Sequence, residues 1–155
     1  MKKIAKLIVL ALITGATMAT FTGCKKEGCT DPNANNYNVE AKKDDGTCTY
    51  PTINVNTSGS GASGDIKGAG GTASKTWTFT NNKTTVDWDM SIDASSGSFQ
   101  LLLKDASGTT RLDKTLTAGS GSQDAAGQTP AGTAGTWTAT ITLAKFTGSG
   151  DYSFN

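Results

Sequence analysis

Residues 136–143 read Thr-Trp-Thr-Ala-Thr-Ile-Thr-Leu. Trp137, Ala139, Ile141 and Leu143 alternate with four threonines, so an extended chain here is apolar on one side and hydroxylic on the other. A period of two marks a half-buried strand, and β-branched Thr fits its pleated surface. The same alternation recurs upstream. In residues 75–80, Trp77 and Phe79 oppose Thr76, Thr78 and Thr80. In residues 84–92, Val86, Trp88, Met90 and Ile92 oppose Thr85, Asp87, Asp89 and Ser91. Asn81-Asn82 between them tolerates positive φ and predicts a tight hairpin. Phe99, Leu101 and Leu103 form the next inward face, and Asp105-Ala-Ser-Gly108 is a turn signal. Leu112 and Leu116 mark a weaker strand. Thr147-Gly-Ser-Gly150 predicts a turn before Tyr152 and Phe154. About six or seven short strands at such spacing predict a mainly β fold. The expected architecture is an antiparallel, jelly-roll-like β-sandwich over residues 72–155.

Composition agrees. The chain has 155 residues, and Gly, Thr and Ser supply more than a third of them. Gly and Thr are poor helix formers. There is no histidine, which removes Ser-His-Asp triads, Cys-His pairs and His-ligated metals. Three cysteines leave an odd count to explain.

The N-terminus carries an address. Lys2, Lys3 and Lys6 precede an uncharged apolar run over residues 7–19. A basic segment followed by such a run predicts a secretory signal peptide, here residues 1–23. The run is too short to span a bilayer, which takes ~20 apolar residues. It ends Phe21-Thr22-Gly23-Cys24, which resembles the lipobox of bacterial lipoproteins. Gly23 and Cys24 match that pattern, while Phe21 and Thr22 depart from its usual residues. The resemblance implies lipidation of Cys24 and a membrane anchor in the cell envelope, on the outer membrane, facing periplasm or exterior. Ordinary cleavage after Ala19, releasing a soluble protein, is the competing reading. Without residues 1–23 the chain keeps eleven basic and thirteen acidic side chains. That mild acidity argues against nucleic acid as a partner and against attachment to anionic lipid by charge alone.

Cys29 and Cys48 then pair in an oxidising compartment, which resolves the odd count as one anchor and one staple. Residues 24–50 form a small disulfide-closed loop module with almost no core of its own. Residues 28–50, GCTDPNANNYNVEAKKDDGTCTY, resemble a short module of exported and surface proteins of Bacteroidota-type bacteria. Gly28, Cys29, Thr30, Asp31, Pro32, Ala34, Asn36, Tyr37, Asn38, Ala41, Asp44, Asp45, Gly46, Thr47, Cys48 and Tyr50 carry the match. The resemblance implies export and little about activity. The loop also holds Asp31, Asn33, Asn36, Asn38, Asp44 and Asp45. Calcium takes six to eight oxygens, which makes these six the candidate metal ligands. Their spacing is not that of an EF-hand, and Asx-turns are the simpler use of such residues. No other cofactor is expected.

Residues 51–71 are read as linker or long loop, because 57–71 contain six glycines and three serines. Residues 72–155 resemble bacterial pre-peptidase C-terminal domains. The carrying stretches are Gly97-Ser-Phe-Gln-Leu-Leu-Leu-Lys-Asp-Ala-Ser-Gly108, Gly135-Thr-Trp-Thr-Ala-Thr-Ile-Thr-Leu143 and Gly148-Ser-Gly-Asp-Tyr-Ser-Phe154. Members of that family usually accompany secreted hydrolases, and no catalytic domain is expected within these residues. Trp77, Trp88 and Trp137 are in phase with aliphatic positions and read as core rather than as a sugar platform. Asp87, Asp89 and Asp93 read as a solvated strand face, and residues 118–135 as a long mobile loop. The expected function is a non-catalytic envelope binding module for a glycan or an envelope protein. A passive structural lipoprotein and a calcium-stabilised module are the alternatives.

Overall fold

The computed structural model describes residues 25–155. The signal segment and Cys24 lie outside the described residues. Seven strands follow the disulfide module: β1 (Thr52–Ile53), β2 (Asn56–Ser58), β3 (Gly61–Asn81), β4 (Asp87–Lys104), β5 (Thr110–Thr117), β6 (Gln123–Gln128) and β7 (Gly135–Phe154). No helix occurs among the described residues. All strand pairs are antiparallel. One sheet runs β1-β3-β7-β4-β5, with β2 also on β3 and β6 also on β4.

Three of the strands are far longer than the sequence pattern predicts. β3, β4 and β7 have 21, 18 and 20 residues. Each is interrupted at the same level: the β3–β7 register shifts between Ala69 and Ala73, and the β4–β7 register between Ala94 and Ser98. Extra residues bend a strand and sharpen its twist. Three aligned irregularities fold one sheet into two layers. The first layer holds β1, β2, β6 and the outer-numbered pairs such as Asp65↔Asp151↔Ser91. The second holds β5 and pairs such as Lys75↔Ile141↔Leu101. Rings from the two layers meet between them. Phe79 lies 4.8 Å from Phe154, Trp77 6.1 Å from Tyr152, and Phe99 6.3 Å from Tyr152, centroid to centroid. The expected antiparallel sandwich is therefore present, built from one sheet turned on itself.

Four expectations are corrected by the structure. Residues 61–71, read as linker, are the first half of β3. Their glycines break the alternation in sequence, yet Ala62 and Ile66 are buried in the core. Asn81-Asn82 does not make a hairpin, because β7 lies between β3 and β4. The connection carries the chain from one layer to the other. Buried Asn81 organises it by accepting from the Lys83 N–H (2.9 Å) and donating to the Thr85 carbonyl (3.2 Å). Within residues 118–135, read as mobile loop, β6 pairs with β4 from Asp87↔Gln128 to Ile92↔Gln123. Gly148 likewise continues β7 rather than ending it.

Backbone freedom is needed where the strands bend. Gly97 has φ +83°, and a Cβ there would sit 2.3 Å from the Lys145 carbonyl oxygen. Lys145 itself holds φ +49°, a conformation costing a non-glycine residue ~1–2 kcal/mol. The disulfide module, Cys29–Cys48, docks at the same level. Asn35 Oδ1 accepts from the N–H groups of Ala69 (3.0 Å) and Gly71 (3.2 Å), and the Asn33 carbonyl from the Thr72 N–H (2.8 Å). Asn33 and Asn35 thus supply acceptors to three backbone donors of β3 where its register is irregular. Lys145 Nζ reaches the Pro32 carbonyl. Gly71 permits the approach, since a Cβ would lie 2.7 Å from the Asn33 oxygen.

A second latch holds the far end. The Asp105 side chain is fully buried at the β4–β5 turn. Oδ1 accepts from Ser107 N–H (2.9 Å), Ser107 hydroxyl (2.6 Å) and Thr109 N–H (3.0 Å). Oδ2 accepts from Arg111 Nε (2.8 Å) and Thr133 N–H (3.0 Å), so the turn is tied to the segment that enters β7. The Ser107 hydroxyl, then the Thr133 N–H and Arg111, hold this carboxyl well below the usual carboxylate range against the opposing effect of burial. A depressed folded pKa means stability that is present above the unfolded pKa and lost as pH falls towards the folded one. Acid titration of wild-type stability should therefore show a loss beginning below about pH 4. Asp105→Asn should be less stable at neutral pH and should flatten that acid limb; an unaltered limb excludes Asp105 as its source. Asn35→Ala should cost about 0.5–1.5 kcal/mol in chemical denaturation, by removing the acceptor that two N–H groups share.

Candidate functional site

The two outer faces of the sandwich differ in chemistry. The second layer presents hydroxyls: Ser74, Thr76, Thr78 and Thr80 of β3 lie opposite Thr142, Thr140, Thr138 and Thr136 of β7. Several of these bond to each other, as Thr76 to Thr140 at 2.9 Å. The first layer presents carboxylates and serines. Its rows across β3, β7 and β4 are Ser63–Ser153–Asp89, Asp65–Asp151–Ser91 and Lys67–Ser149–Asp93. Inward neighbours on the same strands are the core residues Ile66, Tyr152, Met90 and Ile92, so alternation alone sends the aspartates outward.

Two open depressions lie side by side on this face. One, of about 310 Å³, is lined by Ser63, Asp87, Asp89, Ser153 and Asn155, with Trp88 at its margin. The other, of about 260 Å³, is lined by Asp65, Ser91, Asp93, Ser122, Ser149 and Asp151. Hydrogen bonds already orient some of these groups. The Ser91 hydroxyl donates to Asp151 (2.9 Å), the Gln128 amide to Asp87 (2.8 Å) and the Asn54 amide to Asp65 (2.9 Å). Beneath them the Tyr152 hydroxyl donates to the Asn54 carbonyl (2.8 Å). Burial, then the nearby Asp65 charge, push its pKa up to about 12, which keeps it a neutral donor. Asp87, Asp89 and Asp93 are exposed on the strand face, as expected from sequence. The sequence reading does not single out Asp65, which lies in the stretch read as linker or long loop, or Asp151, which directly follows the expected turn at 147–150.

The tryptophans divide. Trp137 is fully buried, and its Nε1–H donates to the Thr133 carbonyl (2.8 Å). Trp77 and Trp88 are only partly buried and pack against the margin of the core. Their indole N–H groups are covered and have no partner. Trp88 lies against β6, where a Cβ at Gly127 would meet its ring at 3.2 Å.

Five of the six candidate calcium ligands of the module are committed locally through their side chains. Asp31 accepts from the Asn33 N–H (2.8 Å), Asn38 from Glu40 (3.1 Å), Asp44 from Gly46 (3.1 Å) and Asp45 from Thr47 (3.0 Å), each an Asx-turn over two residues. Asn36 Oδ1 accepts from the Thr49 N–H (2.9 Å), and its amide donates to the Thr47 carbonyl (2.8 Å). The Asn33 side chain makes no such bond, and its backbone carbonyl is the atom used. The Asn33 N–H, then the Tyr50 hydroxyl, hold the Asp31 carboxyl below its ordinary value. The Thr47 hydroxyl does the same for Asp45. Among the described residues no group of three or more Cys, Asp or Glu converges in a way that could hold a metal ion.

No family model matches the chain, and no curated protein matches it. Among solved structures, it is loosely similar to one described as "CBM4 structure and function", with a TM-score of 0.35 and 11% identity over 67% of this chain and 85% of the other. Another is an arabinose-bound α-L-arabinofuranosidase, MgGH51, with a TM-score of 0.36 and 11% identity. That match covers 68% of this chain and 22% of the arabinofuranosidase.

Proposed function

We propose that this chain is a lipid-anchored envelope protein whose sandwich is a non-catalytic module for binding glycans. One observation carries the binding reading: two depressions of about 310 and 260 Å³ share serines and carboxylates in their walls, with Trp88, Ala62 and Phe154 also lining the larger. The larger falls at the lower end of the usual range for ligand sites. Carboxylates accept hydrogen bonds only, and serine both donates and accepts, so the face complements a ligand rich in hydroxyls. Aspartates outnumber the lone Lys67 in the three rows, which favours a neutral sugar over an anionic one.

The non-catalytic part rests on what hydrolysis requires. Glycosidase chemistry needs a carboxyl of raised pKa in an enclosed site, and Asp87, Asp89 and Asp93 are exposed to solvent. The absence of histidine removes the commonest general base. The anchor reading rests on Gly23-Cys24 after the apolar run. Several acyl chains on Cys24, at ~0.8 kcal/mol per buried CH₂, hold a protein on a membrane stably. A neighbouring envelope protein is the alternative ligand, and the same assay separates the two.

Glycan-array binding by the whole chain is expected. Asp151→Asn should weaken it about tenfold, the loss of one charge-assisted hydrogen bond. Thr78→Ala on the other layer should leave it unchanged. Absence of binding to every glycan sinks the reading. Cys24→Ser should release the protein from membranes into the soluble fraction; full retention contradicts the anchor.

A further inference from the structure

The disulfide module meets its surroundings through two different segments. Residues 32–35 face the bend of the sandwich. Residues 26–29 and 38–43 are laced to each other instead. The Lys42 N–H donates to the Lys26 carbonyl (2.8 Å), Gly28 N–H to Lys43 (3.1 Å) and Asn38 N–H to Cys29 (2.9 Å). Glu27 and Lys43 form an isolated parallel bridge. This strip starts one residue from Lys25, which directly follows Cys24 in the sequence.

Among the described residues the large exposed apolar side chains are Tyr37 (45%), Val39 (71%) and Tyr50 (48%). Tyr50 is committed through its hydroxyl to Asp31 (2.7 Å). Tyr37 and Val39 flank Asn38 in the laced strip and lack such a role. Charge gathers there too. Four lysines, Lys25, Lys26, Lys42 and Lys43, stand with two glutamates, Glu27 and Glu40. Lys26 pairs with Glu40 and Lys43 with Glu27. Lys25 and Lys42 have no ion-pair partner among the described residues, and neither have Asp44 and Asp45, which follow Lys43 in sequence. In sequence these lysines are split into two pairs 16 residues apart, and the fold joins them.

We propose that this strip is a membrane-contact surface, with Tyr37 and Val39 seated among lipid headgroups and Lys25 and Lys42 on lipid phosphates. It rests on the reading of Cys24 as the lipid anchor. Tyrosine favours the boundary between apolar and wet regions, and a lysine stem lies along apolar surface while its ammonium reaches phosphate. Neither contact is strong alone. An anchor adjacent in sequence raises their effective concentration, so weak contacts are enough to fix orientation. The module then stands on the bilayer, and its other segment carries the sandwich.

The test uses the full chain, processed in a bacterial host and reconstituted into phosphatidylethanolamine–phosphatidylglycerol vesicles. An environment-sensitive fluorophore is placed at Val39→Cys, or at Asp124→Cys on β6 as control. The label at position 39 should be blue-shifted and lose its emission to a lipid-borne quencher, while that at position 124 stays water-exposed. The K25E/K42E pair should reduce the blue shift at position 39 without changing flotation. Protein that floats with vesicles but shows equal water exposure at both positions overturns the contact surface and leaves the anchor standing. Protein that does not float overturns the anchor and the surface together. An undiminished shift in K25E/K42E overturns the phosphate contact.

Discussion

A single bend organises this molecule. β3, β4 and β7 are each too long for one layer, and each is interrupted at the same level. Bending them together brings Phe79, Trp77 and Phe99 of one layer onto Phe154 and Tyr152 of the other, which is where the core forms. A bend in a sheet disturbs its ladder, and backbone donors there need acceptors. Asn33 and Asn35 of the disulfide module supply them to three donors of β3 where its register is irregular. A module with almost no core of its own and a sandwich with an irregular ladder thus complete each other. The covalent staple Cys29–Cys48 holds the loop that presents those acceptors.

The same bend sorts the surface chemistry. Each long strand contributes one stretch to each layer, so its outward residues appear on two separate faces. Hydroxyls cover one face, through Thr136, Thr138, Thr140 and Thr142 beside Ser74 to Thr80. Carboxylates and serines cover the other. β7 is central in both layers, and its sequence changes from threonines to Ser149, Asp151 and Ser153 across the bend. The depressions lie where these small side chains run between neighbouring strands. The module adds a third kind of surface, of mixed charge with exposed Tyr37 and Val39, at the end nearest the sequence's N-terminal segment.

Much of this is visible in the residue pattern. Trp137, Ile141, Leu143, Met90, Ile92, Phe99, Leu101 and Leu103 all read as inward from alternation, and all are buried. The disulfide follows from the odd cysteine count. Alternation fails at Gly70-Gly71, Ser95-Ser96-Gly97 and Gly148, because a bulge and a turn use the same small residues. Local signals cannot separate the two; the difference is whether another strand continues alongside. The acidic pair Asp65 and Asp151 was hidden for that reason, although Ala62 and Ile66 preserve a weak inward period. Asp105 reads as an ordinary turn residue. Its tie to Thr133 spans 28 residues and has no sequence signature.

The sequence by itself determined the strands that alternate cleanly, most of the inward set, the cysteine pair and the lack of histidine chemistry. These depend on side-chain type and near-neighbour spacing, which a linear reading contains. Tertiary structure alone decided that one sheet folds into two layers, that Asn35 caps the bend, and that Asp65, Asp89, Asp93 and Asp151 share a face. It also decided that Lys25, Lys26, Lys42 and Lys43 meet beside Tyr37 and Val39. Each of these depends on contacts between residues far apart in the chain, set by which strands lie side by side once the aromatic core has closed.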